Sequence, residues 1–302
     1  MRREALPADA LLAFDAGCVT HPVVRAARFG EPLPCEDMLV EEVPIALVYN
    51  GVSHAVMLAS PLELEDFAVG FSVTEGLVQH VGEVHDIEIV AGHDGIEVRL
   101  TVASSRMNAL KERRRALAGR TGCGLCGIES LQQLARSPTP VDTGGRVSFS
   151  ALQRAIAAIT KMQPLHRSTG AAHAAGWATW DGAVALVRED VGRHNALDKL
   201  IGALTRRDID VRSGFAVVTS RASYEMVQKA ASVGIPVLAA LSAPTAMAAR
   251  LAGITGLTLI GFAGRDHPVL YAHPGRLIAA AAVQPGNGVR HPTDGLPSLS
   301  AA

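Results

Sequence analysis

The sequence predicts an α/β protein: a mixed or mainly parallel sheet with helices on both faces, preceded by a smaller α+β subdomain. Three observations carry this. Beyond about residue 146, short strand signals alternate with ten-residue helix signals, the pattern of a sheet covered by its own connections. Hydrophobic residues make up 48% of the chain but aromatics only 4%, so the apolar mass is Ala, Val and Leu, which suits buried parallel strands and close helix–sheet packing. Before residue 145, two hairpin signals bracket a single helix signal, which sets that stretch apart.

The elements follow in order. Residues 1–40 are rich in Pro and charge without a sustained period and read as an arm laid over the surface. Val43–Tyr49 and Val52–Ala59 flank Asn50-Gly51, a strong hairpin signal. Ser60-Pro61-Leu62-Glu63 reads as a capping box, with Ser60 at the N-cap, Pro61 at the first helical position and Glu63 at the third, opening a helix to about Gly76. Val84–Val90 and Gly95–Val102 form a second hairpin. Ser105–Ala118 reads as a charged helix stopped by Gly119. Arg136–Gly145 is a turn-rich linker and the best boundary, dividing a subdomain over 41–145 from an α/β domain over 146–283. In the latter, Ser150–Gln153 opens a helix to about Met162. His173–Trp180 and Ala183–Arg188 form a hairpin about Asp181-Gly182. Helices over Asn195–Thr205, Tyr224–Val233 and Thr245–Ala252 alternate with strands over Phe215–Thr219, Ile235–Ala240 and Leu257–Phe262. A short strand, Val269–Ala272, precedes a last helix from about Arg276. The tail, 284–302, has a disordered composition.

Composition narrows the function. Lys plus Arg is 28 and Asp plus Glu is 29 in 302 residues, a net charge of −1, so the chain lacks the basic field of generic nucleic-acid binding. The local cluster Lys111–Arg115 reads as a solvated helix face. No apolar run reaches the ~18 residues of a membrane span, and Asp9 and Asp15 spoil the N-terminus as a signal peptide. The chain reads as cytoplasmic, where thiols stay reduced, and Cys18 and Cys35 read as ordinary free thiols.

The other two cysteines, Cys123 and Cys126, lie in Gly119–Glu129 (GRTGCGLCGIE). Glycines at 119, 122, 124 and 127 let the backbone turn sharply and admit a close approach to the thiols. The C-x-x-C spacing leaves three chemistries open: half of a zinc site, a dithiol redox pair, or a nucleophilic cysteine with a neighbour. A second C-x-x-C or a spaced His pair is absent, and so is the H-x-E of zinc deaminases. A thioredoxin-like pair would open a helix after a strand, whereas this pair follows a helix. A cysteine that attacks and carries a group needs a low thiolate pKa, which Arg120 and the loop N–H groups could supply.

Four polar clusters fall at expected strand ends or in loops, where α/β sheets bind ligands. They are His166–Gly170 with His173 beyond, Arg188–Asn195, Thr219–Ser223 and Phe262–His267. Arginines, hydroxyls and helix N-termini suit anionic phosphate. Four such clusters on one sheet edge suggest a large polyanionic ligand.

These residues together resemble the formate dehydrogenase accessory sulfurtransferase family (FdhD). The matching stretches are Gly70–Gly76, Arg120–Glu129, His166–Ala174, Arg188–Lys199 (REDVGRHNALDK), Ser220–Ala230, Gly234–Ala246 and Gly261 through Pro274. They come in the family's order over roughly residues 40–276. The resemblance implies a sulfurtransferase that takes sulfur from a cysteine desulfurase and holds it as a cysteine persulfide. It then delivers the sulfur to the bis(molybdopterin guanine dinucleotide) molybdenum cofactor of formate dehydrogenase. By motif position Cys123 is the carrier and Cys126 its helper. The cofactor-binding segment falls on Phe262, Ala263, Gly264, Arg265, Asp266 and His267, which would take the guanine nucleotide end. The cofactor is thus bound as substrate, and no metal is held by protein side chains. The resemblance also implies a cytidine deaminase-like three-layer α/β/α sandwich without its zinc, and a homodimer. Expected partners are the desulfurase and the catalytic subunit of formate dehydrogenase, with no nucleic acid and no membrane. The alternative is a non-catalytic chaperone for the molybdenum cofactor, and a nucleoside deaminase descendant comes third.

Overall fold

The computed structural model describes residues 17–28, 30–106, 140–141 and 144–278. Cys123 and Cys126, the expected helix beyond Arg106, most of the Arg136–Gly145 linker, the start of the arm and the tail from Gln284 lie outside the described residues.

The described part of the arm differs from expectation. β1 (Cys18–Arg25) and β2 (Leu33–Val40) pair antiparallel, Cys18 opposite Val40 and Arg25 opposite Leu33. Most of their side chains are exposed, so neither strand shows the one-sided apolar alternation that marks a half-buried strand.

The first core forms between a four-stranded sheet and one helix. β3 (Val43–Tyr49) and β4 (Val52–Ala59) turn at Asn50-Gly51, both with positive φ (47° and 78°), as a tight hairpin turn requires. The Asn50 amide also fixes the neighbouring strand: its Nδ2 donates to Val102 O at 2.9 Å and its Oδ1 accepts from Val102 N at 2.7 Å. β5 (Val84–Gly92) and β6 (Gly95–Val102) complete the sheet in the order β4-β3-β6-β5, with β3 and β6 parallel. Ile45, Leu47, Ile96, Val98 and Leu100 face Phe67, Ala68 and Phe71 of α1 (Leu64–Thr74).

The capping box at Ser60 does not form. Glu63 is the N-cap of α1, in the left-handed region (φ 47°), without a side-chain cap. Ser60 instead bonds to a segment some 130 residues away: its N–H donates to Asp190 Oδ2 at 3.0 Å and its Oγ accepts from Val191 N at 3.0 Å. A tertiary partner has outcompeted the local cap.

The second sheet has the order β13-β12-β11-β10-β8-β9. Its strands are β8 (His173–Thr179), β9 (Val184–Asp190), β10 (Gly214–Val218), β11 (Val237–Ala240), β12 (Thr258–Gly261) and β13 (Val269–Ala272). β10, β11 and β12 run parallel, and the rest antiparallel to their neighbours. The three parallel strands, β10, β11 and β12, are buried on both faces, and their alternation assigns each side. Ala216, Val218, Leu238, Ala240 and Leu259 meet α4 (Arg193–Arg206), α5 (Tyr224–Ser232) and α6 (Ala246–Thr255). Phe215, Val217, Val237, Ala239 and Ile260 meet α2 (Phe149–Lys161). Ser148 caps α2 by accepting from Ala151 N at 3.1 Å, two residues earlier than the expected start at Ser150. A short helix, α3 (Pro164–Thr169), leads into β8. Where the last helix was expected to start, the described residues form a 3-10 turn, Pro274–Arg276, and β14 (Leu277–Ile278), which pairs parallel with β7 (Val147–Ser148); the rest of that expected helix lies outside the described residues.

The two halves meet where α1 crosses α4. A Cβ on Gly70 would lie 1.8 Å from Asp198 O, and one on Gly202 would lie 1.8 Å from Asp66 O. The helix backbones touch there, and only glycine fits. α1 is therefore covered by its sheet on one side and by α4 on the other, which explains why its sequence, LEDFAVGFSVT, lacks a polar face.

Candidate functional site at the strand-end edge

The topology brings all four polar clusters to one edge of the six-stranded sheet. Val218 at the end of β10 pairs with Ala175 and Ala240, Asp190 at the end of β9 pairs with His173, and Gly261 at the end of β12 pairs with Val269. Hydrogen bonds from backbone N–H groups then link the loops. Ala174 N donates to Thr219 Oγ1 at 2.9 Å, Thr245 N to Ala222 O at 3.0 Å, Phe262 N to Ser242 O at 3.2 Å, and Ala263 N to Ala240 O at 3.0 Å. From β9 to β12 is four inter-strand steps, so the edge spans about 19 Å at ~4.8 Å per step.

At one end, Phe262–His267 forms a tight turn, Arg265 N donating to Phe262 O at 3.0 Å. Phe262 takes a left-handed conformation (φ 51°). Ala263 is buried beneath the turn, and Gln153 Nε2 donates to its carbonyl at 2.8 Å. Gly264, Arg265, Asp266 and His267 are exposed. The Arg265 guanidinium lies 4.4 Å from the Phe262 ring centroid, a cation–π contact that holds a planar donor set outward. In the middle, Arg221 is exposed and Ser220 buried.

At the other end, the long Arg188–Lys199 motif divides into two kinds of residue. Most of it ties the halves together. Arg188 Nε and Nη2 donate to Asp66 Oδ2 at 2.9 and 2.7 Å. Glu189 accepts from Leu165 N and His166 N at 2.9 and 2.8 Å, capping the start of α3. Asp190 and Lys199, both with 0% side-chain exposure, pair at 2.8 Å. Asp190 Oδ1 also accepts from Gly192 N and Asn195 Nδ2, and Lys199 Nζ donates to Ser60 O and Glu189 O. Asn195 reaches Leu58 O at 2.8 Å. Further along, Asp198 accepts from Thr74 and pairs with Lys229, which also meets Glu75 at 2.8 Å. Burial alone would lower the Lys229 pKa, but Asp198 and Glu75 hold it above the ordinary lysine value.

Only Arg193 and His194 of that motif remain for the edge. His194 Nε2 lies 2.8 Å from Glu225 Oε2 and 3.3 Å from Ser223 Oγ at the start of α5. His173 stands beside them, its pKa pulled below the ordinary histidine value by burial and then by the nearby Arg193 guanidinium. The sequence offered Arg188, Glu189 and Asp190 as ligand groups; the structure turns them inward. Their partners Asp66 and Ser60 lie more than 120 residues away, and no local pattern could reveal them. Among the described residues no group of three or more His, Cys, Asp or Glu is placed to hold a metal ion, and no helix is long and apolar enough to cross a membrane.

Fold and site together define a mixed α/β protein whose strand ends gather basic and hydroxyl side chains on one edge. The chain belongs to the FdhD/NarQ family, whose profile matches residues 40–278. It is 54% identical over 265 residues to the "Sulfur carrier protein FdhD" of Cupriavidus necator, covering 87% of this chain and 92% of that one. The protein of the same name from Bordetella bronchiseptica is 54% identical over 80% of this chain and 88% of its own. A crystal structure from Desulfotalea psychrophila, of a protein provisionally assigned as a formate dehydrogenase accessory protein, superposes with a TM-score of 0.67. It covers 86% of this chain and 99% of its own at 21% identity, and so bears on the fold.

Proposed function

We propose that this chain is a cytoplasmic sulfurtransferase that carries sulfur for formate dehydrogenase. The observation that carries the reading is identity above half, over most of the chain, to proteins named sulfur carriers. Cys123 is the carrier and Cys126 its helper. The Cys123 thiolate attacks the terminal sulfur of a cysteine persulfide on a desulfurase. A new S–S bond forms at Cys123, the donor's S–S bond breaks, and the donor cysteine leaves as a thiolate, with no net oxidation or reduction. The outer sulfur then passes as sulfide to the molybdenum of bis(molybdopterin guanine dinucleotide), the substrate of the second half-reaction: a thiolate, that of Cys126 or of an external thiol, attacks Cys123 Sγ, the persulfide S–S bond breaks, and the disulfide formed takes up the oxidation.

The strand-end edge supports this reading by its width and its chemistry. Arg265, Asp266 and the Phe262 ring suit one guanine nucleotide end, with Arg265 donating to oxygen acceptors and Asp266 accepting from the guanine N–H groups. The three-layer order is taken as cytidine deaminase-like in lineage, and the working unit as a homodimer. Complementation tests the reading. Cys123→Ala protein folds as wild type but fails to restore formate dehydrogenase activity, whereas Cys126→Ala does less harm. Full restoration by Cys123→Ala would end it.

A further inference from the structure

The outer face of the four-stranded sheet, turned away from α1, is exposed and divided by chemistry. Side chains alternate along each strand. Ile45, Leu47, Ile96, Val98 and Leu100 point to α1, so Pro44, Ala46, Glu97, Arg99 and Thr101 point outward. Register extends this face over the two edge strands. On β4, Leu58 lies opposite Pro44 and Val56 opposite Ala46; on β5, Glu88 lies opposite Arg99 and Asp86 opposite Thr101. One half of the face is apolar, with Val56 63% and Leu58 55% exposed. The other half is acidic: Arg99 is held by Glu97 at 2.8 Å and by Glu88 at 3.5 Å, which leaves carboxylates in excess.

The two edge strands differ in the same sense. β5 carries His85, Asp86 and Glu88, charges of the kind that keep a sheet edge from pairing with another chain. β4, VSHAVMLA, carries no Asp, Glu, Lys, Arg or Pro. An exposed apolar patch with a charged rim marks a surface that another molecule covers.

Charge decides which molecule. Residues 17–106 hold fourteen Asp and Glu against four Arg and no Lys, whereas residues 144–278 hold eight against fifteen Lys and Arg. The anionic surplus of the first half repels nucleic acid and anionic lipid. A second copy on this face would bring the same carboxylates together across a two-fold axis, which like charges oppose. The complement is a basic protein surface with an apolar centre. Two helix layers, α1 and then α4–α6, separate the face from the six-stranded sheet, so its occupant leaves the strand-end edge open. Of the partners in the proposed function, the sulfur donor is the one with no need of that edge.

We propose that the outer face of the four-stranded sheet docks the sulfur donor, a cysteine desulfurase presenting Lys and Arg around an apolar patch. The choice of partner rests on the sulfur-carrier reading; the face and its charge do not. Val56 and Leu58 pack against the apolar centre of the donor, and Glu88 and Glu97 steer and orient its basic rim.

Interferometry with the full chain and a purified cysteine desulfurase, in the absence of cysteine, tests the proposal at about 50 and about 300 mM salt. Wild-type protein should bind at least tenfold more weakly at the higher salt. Glu88→Gln/Glu97→Gln protein should lose at least tenfold in affinity at low salt, together with most of the salt dependence. Val56→Ser/Leu58→Ser protein should lose at least tenfold at both. Glu36→Gln/Asp37→Asn protein, altered at two exposed carboxylates of β2 in a different sheet, should bind as wild type. The side chains changed on the face are exposed, so each variant should melt close to wild type, and a face variant that melts early leaves the other to decide. No sulfur moves in this measurement, so its result stands whether or not Cys123 is the carrier. Equal desulfurase affinity in wild type and both face variants, or no binding by wild type, would overturn the proposal. So would face variants that keep the desulfurase but lose the catalytic subunit of formate dehydrogenase, or that keep it but dissociate into smaller oligomers. Those results would give the face to the client or to a second copy.

Discussion

Asp190 is the residue on which the junction of the two halves turns. Its two oxygens receive four donors from three segments, and it is the counterion of a lysine with no solvent exposure. Removing one partner of a buried pair leaves an uncompensated charge, at a cost of ~3–5 kcal/mol. Asp190→Asn should therefore lose stability of that order in urea unfolding, and Lys199→Met in the Asp190→Asn background should recover part of it. Nothing beside Asp190 in the sequence distinguishes it from a ligand residue at a strand end. Residues at the turn after β12 behave otherwise: Arg265 and Asp266 are exposed, with side chains free to meet a ligand. Under the proposed function, guanine nucleotides bind there in preference to adenine ones, and Arg265→Ala or Asp266→Ala weakens GDP binding. Equal affinity for GDP and ADP would place the guanine site elsewhere.

Among the elements, α1 and α4 are joined by glycines rather than by interlocking side chains. Gly70→Ala or Gly202→Ala drives a methyl into the facing backbone carbonyl, and backbone cannot yield as a flexible side chain would. Overpacking costs typically ~1–3 kcal/mol, occasionally more, and each variant should show a loss at or above that range with a lowered melting temperature. Gly253 is the control: a Cβ there meets nothing within 4 Å, and Gly253→Ala should be neutral or slightly stabilising. The β5–β6 hairpin carries a pH-sensitive tie. Arg106, just past β6, forms a fork with Glu83 (Nη2 to Oε1 2.8 Å), and that hydrogen bonding, with the Gln79 N–H, holds Glu83 well below its ordinary value, to about 2. A depressed carboxylate stabilises the fold above its ordinary pKa and loses that contribution as pH falls toward the folded value. The contribution should disappear between about pH 4.5 and 2, and Arg106→Ala protein should show a flatter acid limb in that window.

Taken whole, the molecule is a stack: four-stranded sheet, α1, the α4–α6 layer, six-stranded sheet, then α2. The inner layers were legible in the sequence because local signals and tertiary packing agree there. Asn50-Gly51 and Asp181-Gly182 make their turns, and Val269–Ala272 forms a strand with the expected bounds. Legibility fails where a partner far along the chain decides the outcome. Ser60 is claimed by Asp190, the segment after Arg276 by β7, and β1 by β2 with few buried side chains to mark it. The candidate edge was half legible: Thr219–Ser223 and Phe262–His267 do follow strands, whereas His166–Gly170 lies mostly in α3 and Arg188–Asp190 within β9, and which arginines face outward depended on Asp66 and on the crossing of α1 over α4. That crossing joins the half that precedes residue 107 to the half whose strand ends form the candidate edge. Whether Cys123 carries the sulfur is read from intact-protein mass after incubation with a cysteine desulfurase and cysteine. Wild-type protein should gain one sulfur, reversibly lost to dithiothreitol, and Cys123→Ala protein should gain none. Sulfur acquired equally by Cys123→Ala protein, or by neither, would contradict the account.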